Sequence, residues 1–176
     1  MIFKLINHYP EAVQTLSLIS LDTDKTPYES LCIDDSKFLS FDTIVKKAFS
    51  KKQPASFDLV TIYKKKLFCI EFKNSRPRDI KNRGVQNKAI EGIASLYSIA
   101  ESLLDVKLNE YEKYYIVVYK PLLIKKATKS QNFLHNRATK KVIEFGLEKY
   151  HKTFYDHILT KECKDYKYIK SKLSIK

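Results

Sequence analysis

No run of apolar residues in this chain of 176 residues approaches the roughly 20 needed to cross a bilayer. A membrane-spanning protein is therefore not expected. The opening residues, M-I-F-K-L-I-N-H-Y-P, lack the apolar core and small-residue cleavage site of a secretory leader, which points to a cytoplasmic protein. Cysteine is scarce. Cys32, Cys69 and Cys163 are odd in number, far apart and without a C-x-x-C pair, which argues against a disulfide framework or a zinc knuckle. They read as reduced thiols, with Cys69 inside a strand. The four histidines, His8, His135, His151 and His157, are scattered. His151 and His157, six apart, fall on different faces of a helix, so spacing supports no histidine metal site. Tryptophan is absent and glycine occurs three times. There is no Gly/Ser linker, internal repeat or low-complexity tract, so residues 1–176 read as a single domain.

What is abundant is positive charge. The formal net charge is +13, and 44% of the residues are hydrophobic. A chain of this length and apolar content can bury a proper core, and its charge suggests an anionic partner, nucleic acid above all. Lysine dominates; Arg76, Arg78, Arg83 and Arg137 are the four arginines. The bland alternative is a coding bias, since the chain is also rich in Ile and Tyr.

The pattern along the chain is α/β. Residues 11–21, E-A-V-Q-T-L-S-L-I-S-L, predict a helix, broken at Thr26-Pro27. Weak strand signals follow at Ser30-Leu31-Cys32-Ile33 and Lys37-Phe38-Leu39. Ser40 reads as the cap of a helix over 41–50, with Phe41, Ile44, Val45, Ala48 and Phe49 at helical spacing. Strands are predicted at 57–63 and 67–73. Gly84 opens the longest helical pattern, 85–104, and Y-Y-I-V-V-Y at 114–119 has the continuous apolar character of a buried strand. Pro121 ends it. Residues 122–176 read as a mainly helical, Lys/Tyr-rich extension. The expected fold is a small central mixed β-sheet flanked by helices on both sides, with its core at about 40–120.

The chemistry concentrates between Phe57 and Lys73, F-D-L-V-T-I-Y-K-K-K-L-F-C-I-E-F-K. The triplet acid-x-Lys is itself uninformative here, because it occurs six times. Only Glu71-Phe72-Lys73 ends an apolar strand and has a second acid, Asp58, at the start of the preceding strand. If Lys64-Lys65 is a two-residue turn, Tyr63 pairs with Lys66, Ile62 with Leu67 and Asp58 with Glu71. Opposed residues have Cβ atoms about 4.5–5.5 Å apart, and like charges so placed destabilise a hairpin unless neutralised. A divalent cation is a natural neutraliser, and oxygen ligands suit Mg²⁺ or Mn²⁺. Lys-Lys is nevertheless a poor match to the turn, which prefers Asn-Gly or Gly-x. Strand alternation places Lys73 on the face of Glu71 and turns Phe68, Ile70 and Phe72 to the other. An ordinary ion pair at a sheet edge is the competing reading.

These residues, in the order helix, strand, strand, helix, strand, resemble the PD-(D/E)xK nuclease superfamily, a group with a restriction-endonuclease-like fold. The resemblance covers roughly residues 40–120 and rests on Asp58 and Glu71-Phe72-Lys73. It implies a Mg²⁺- or Mn²⁺-dependent endonuclease acting on DNA. Asp58 and Glu71 would be metal ligands, the Phe72 carbonyl a further ligand, and Lys73 the catalytic lysine. Asp42 is the best-placed acid on the first helix for an additional ligand, although an acid in a helix's first turn is favoured by the helix dipole in any case. Two departures stand out. Phe57 occupies the position of the motif's proline, and Gln86 is followed at the family's Q-x-x-x-Y spacing by Ile90. Gln86 and Lys88 are candidates to support the site from behind.

The loop after Lys73 carries Arg76, Arg78, Lys81 and Arg83. Guanidinium groups suit phosphate oxygens, and the following helix would point its N-terminus the same way. A solvated basic loop is the plainer reading. The tail from Lys161 interleaves tyrosine with lysine, a pattern that stacks bases and binds phosphates or merely solvates an edge. Two other functions compete with the nuclease: a non-catalytic nucleic-acid-binding domain with a nuclease-like core, and a basic protein–protein adaptor. A homodimer would supply the two sites needed to cut both strands of a duplex.

Overall fold

The computed structural model describes residues 1–22, 27–120 and 143–163. Helix α1 (Ile2–His8) is followed by strand β1 (Val13–Thr15), the one-turn helix α2 (Leu16–Ile19), and the short strands β2 (Leu21–Asp22) and β3 (Glu29–Ser30). Strand β4 (Lys37–Ser40) leads into helix α3 (Phe41–Ala48). Strands β5 (Leu59–Tyr63) and β6 (Lys66–Lys73), helix α4 (Asn82–Leu104), strand β7 (Glu112–Tyr119) and strand β8 (His157–Glu162) complete the order.

Among the described residues, six strands form a mixed sheet in the order β1-β4-β5-β6-β7-β8. The β1–β4, β4–β5 and β5–β6 pairs are antiparallel; β6, β7 and β8 run parallel. The change from antiparallel to parallel follows from the connections. Two residues join β5 to β6, which permits only a hairpin, whereas α4 carries the chain back so that β7 enters in the direction of β6. Two buried clusters lie on the two sides of the sheet. One gathers Leu67, Cys69, Tyr115 and Val117 with α3 and α4 residues. The other gathers Phe68, Ile70, Phe72, Ile116 and Val118 with Leu16, Cys32 and Phe38. The first face carries α1, α3 and α4. The second is covered by the single turn of α2 and the segment around Cys32.

Ser40 caps α3 as its spacing predicts, its hydroxyl accepting from the Thr43 N–H. The two-residue turn is also present. Tyr63 pairs with Lys66 and Ile62 with Leu67, while Lys64 and Lys65 adopt φ of 47° and 58°, the positive values a tight hairpin demands. The helix expected over 11–21 is not formed. Val13–Thr15 pairs with β4 instead, because those residues complete the sheet edge, and only Leu16–Ile19 is α-helical. Helix α4 begins at Asn82, two residues before Gly84. Of the helical extension expected over 122–176, residues 122–142 and 164–176 lie outside the described residues. The described part contains β8, a strand in register beside β7. Among the described residues no helix is long and apolar enough to cross a membrane.

Candidate functional site

The site is built where β6 ends and α4 begins. Asp58 sits just before β5 and is held through its backbone from two directions. Its N–H donates to the Ile70 carbonyl at 3.0 Å, and its carbonyl accepts from Phe41 N–H, at the start of α3, at 2.9 Å. Its predecessor, Phe57, is fully buried and stacks on Phe41 with ring centroids 4.4 Å apart. Helix α4 lies against Phe57 at Gly92, where a Cβ would come within 2.6 Å of Phe57 Cδ1. Phe57 is thus an aromatic wedge beside Asp58, and a glycine makes room for it.

Asp58 and Glu71 converge on one ammonium group. Lys88 Nζ lies 3.1 Å from Asp58 Oδ1 and 2.9 Å from Glu71 Oε1. Lys73 Nζ lies 2.7 Å from the same Glu71 oxygen. Lys88 reaches the sheet because it stands three residues after Val85 and four before Gly92, on the buried stripe of α4. Glu71 shares its face of β6 with Leu67 and Cys69, and Phe68, Ile70 and Phe72 occupy the opposite cluster, as alternation predicts. Asp58 Oδ2 accepts a 2.6 Å hydrogen bond from the Phe72 N–H. That bond aims the carboxylate at the end of β6.

Glu71 has no exposed surface, and neither of its carboxylate oxygens completes a well-formed hydrogen bond. Its close approach to the two lysines is chiefly electrostatic. Two carboxylates and two ammonium groups thus form a charge-balanced set beneath a cleft. Burial and the neighbouring Glu71 charge raise the Asp58 carboxyl to about 7, against the pull of Lys88, the Phe72 N–H and Lys73. Burial alone would lower the Lys88 ammonium; Glu71 and Asp58 beside it overcome that and raise it well above its ordinary value.

The cleft above has a volume of about 640 Å³. Its lining includes Asp58, Phe72, Lys73 and Lys88 on the floor, Ser40, Asp42 and Lys46 on the α3 side, Lys81 and Gly84 at the start of α4, and Leu18–Asp22 on the far wall. It lies at the carboxyl end of a parallel strand, where open α/β sheets place their ligands. Asp42 accepts from Ser56 Oγ at 2.8 Å and pairs with Lys46 at 2.6 Å. Burial would raise its pKa, but the Lys46 and Ser56 hydrogen bonds and the charges of Lys46 and Lys88 hold it below the usual value.

Two expectations need revising. Gln86 does not support the carboxylates: its amide donates to the Phe145 carbonyl at 2.8 Å and accepts from Lys149 at 3.3 Å. It stands two residues from Lys88, nearly opposite on the helix, and so faces the segment at 145–149. Lys88, expected in a supporting place, instead touches both acids. Of the basic group after β6, Lys81 lines the cleft, whereas Arg76, Arg78 and Arg83 are exposed beyond its lining. Lys46 and Ser56 were missed. Lys46 was legible as the i+4 partner of Asp42, but nothing in the spacing joins Ser56 to the site. Among the described residues no group of three or more His, Cys, Asp or Glu side chains is placed to hold a metal ion; the carboxylates that converge are the two of Asp58 and Glu71. No protein family, curated protein or solved structure matches this chain.

Proposed function

We propose that this protein is a metal-dependent nuclease of the PD-(D/E)xK kind, with a restriction-endonuclease-like core, that hydrolyses phosphodiester bonds in DNA. The observation that carries the reading is the convergence of Asp58, Glu71 and Lys73 at the floor of a lysine-walled cleft. The donor chemistry fits Mg²⁺ or Mn²⁺: two carboxylates, one of them fully buried with an oxygen, Glu71 Oε2, that has no hydrogen-bond partner. Asp58, Glu71 and the Phe72 carbonyl would hold the ion, with Asp42 as the further acid lining the same cleft. A divalent ion supplies positive charge against the phosphoryl oxygens and lowers the pKa of water.

The chain's own groups do the rest. Lys73 is tethered to Glu71 yet lines the cleft, so its ammonium can orient a water and offset charge gathering on the phosphate. Lys88, between Asp58 and Glu71, offsets the repulsion of the two acids. Burial and the Glu71 charge raise the Asp58 carboxyl to about 7, so this side chain can hold or release a proton near neutrality. Lys81 and Lys46 offer phosphate contacts on the two sides of the cleft.

A non-catalytic nucleic-acid-binding domain is the second reading, favoured by one observation: the two lysines already balance the two acids. Circular, linear and branched DNA, and RNA, incubated with the protein in Mg²⁺ or Mn²⁺ decide between them. The nuclease reading expects cleavage that falls by at least ~100-fold in Glu71→Ala and in Lys73→Ala. Cleavage surviving both substitutions would exclude this site, and binding without cleavage in either metal would favour the second reading.

A further inference from the structure

The three cysteines are spaced too widely for any pairing to be read from the sequence, yet the fold brings two of them together. Cys32 Sγ and Cys163 Sγ lie 3.1 Å apart across 131 residues of chain. Cys32 is buried, whereas Cys163 keeps partial exposure, and no disulfide joins them in the structure. Cys163 Sγ also lies 3.2 Å from the Leu31 carbonyl, so it already rests on the Cys32 segment. A disulfide forms at about 2.05 Å between sulfurs, about 1 Å closer than these stand.

The pair joins two parts of the fold that are far apart in sequence. Cys163 directly follows β8, at one edge of the sheet. Cys32 belongs to the segment that covers the second face, and it is bound to the wall of the cleft. Its N–H donates to Ser20 Oγ at 3.1 Å, that hydroxyl donates to its carbonyl at 3.3 Å, and Leu31 N–H donates to the Ser20 carbonyl at 3.0 Å. Ser20 lines the cleft.

We propose that Cys32 and Cys163 are an oxidation site, closing to an intramolecular disulfide that fastens the Ser20 wall of the cleft to the end of β8. A low-molecular-weight disulfide such as oxidised glutathione is the oxidant. The more accessible Cys163 thiolate attacks one glutathione sulfur, forming a mixed disulfide and expelling one glutathione thiolate. The Cys32 thiolate then attacks Cys163 Sγ and expels the second. Two electrons and two protons leave the protein, and two reduced glutathione molecules carry them. Cys69 is fully buried inside β6 and takes no part. This reading is independent of the nuclease activity.

The test uses the full wild-type chain, equilibrated in glutathione buffers from reducing to oxidising, alkylated, and analysed by intact mass and peptide mapping. The expected product is a monomer carrying one alkyl group, on Cys69, and a linked Cys32–Cys163 peptide. Its Tm should exceed that of the reduced chain by about 5–10 °C, since a cross-link over so long a loop restricts the unfolded state. Three alkylated cysteines in the most oxidising buffer would overturn the proposal, as would a glutathione adduct on Cys163 that never resolves. A linked product with an unchanged Tm would overturn the fastening role.

Discussion

Strand β6 carries a charge cluster at each end, and the two are built from similar parts. At the open end, Lys66, Glu112, Tyr114 and His157 meet: His157 Nε2 lies 2.6 Å from Glu112 Oε1, Lys66 Nζ lies 3.5 Å from Glu112 Oε2, and Tyr114 stacks on His157 at 4.4 Å. At the cleft end, Asp58, Glu71, Lys73 and Lys88 meet at comparable distances. The difference is water. Lys66 and Glu112 are 43% and 41% exposed, whereas Glu71 is 0% exposed. At the open end solvent already stabilises each charge, so pairing adds little. At the cleft end each charge depends on its neighbours, and removing one strands the others. A buried cluster of mutually dependent charges lining a cleft is a candidate functional site.

Substitutions at the two ends should separate sharply. Lys88→Ala leaves the buried Glu71 carboxylate and the half-buried Asp58 beside it with Lys73 as the remaining nearby cation. It should cost about 3 kcal/mol in urea unfolding at pH 8 without divalent metal; a loss below about 1 kcal/mol would make the two ends equivalent. Gly92→Ala forces a methyl group to within 2.6 Å of Phe57 and should cost about 2 kcal/mol, again by urea titration.

The pH dependence offers a third separation. Asp58 titrates at about 7 in the folded chain against an ordinary 3.8. Between those values the folded state binds more protons than the unfolded one, so this group lowers stability as pH rises from about 4 to 7. The depressed acids Asp42, Glu112 and Asp156 act the other way, and below that window. Comparing wild type with Asp58→Asn at pH 5 and pH 8 in EDTA should show a wild-type decline, relative to the variant, on the order of 2 kcal/mol. An identical pH profile would refute the raised Asp58 carboxyl. The smallest effect is expected at the open end, where Lys66→Ala should cost less than about 1 kcal/mol, and less still in high salt.

How much of this was legible follows from how local each determinant is. The hairpin register was readable because β5 and β6 are joined by two residues, and alternation then placed Glu71 with Lys73 and against Phe72. The Ser40 cap was readable for the same reason. Lys88 was harder: its place on the α4 stripe is local, but its contact with both acids depends on how α4 lies across the sheet, set by Gly92 against Phe57. Gln86 was misplaced because its partners, at 145–149, come from a distant segment. Val13–Thr15 was read as helix because its propensity is weak and its pairing with β4 decides. Strand β8 escaped because parallel pairing with β7 leaves no adjacent hairpin signal.

The turn at Lys64-Lys65 has an energetic consequence. Left-handed backbone costs a residue with a side chain about 1–2 kcal/mol, and here two consecutive lysines adopt it. The paired strands on either side must offset that cost, so the sheet holds the turn rather than the turn the sheet. The hairpin that carries Glu71 and Lys73 at its far end thus owes its register to the packing of β5 and β6.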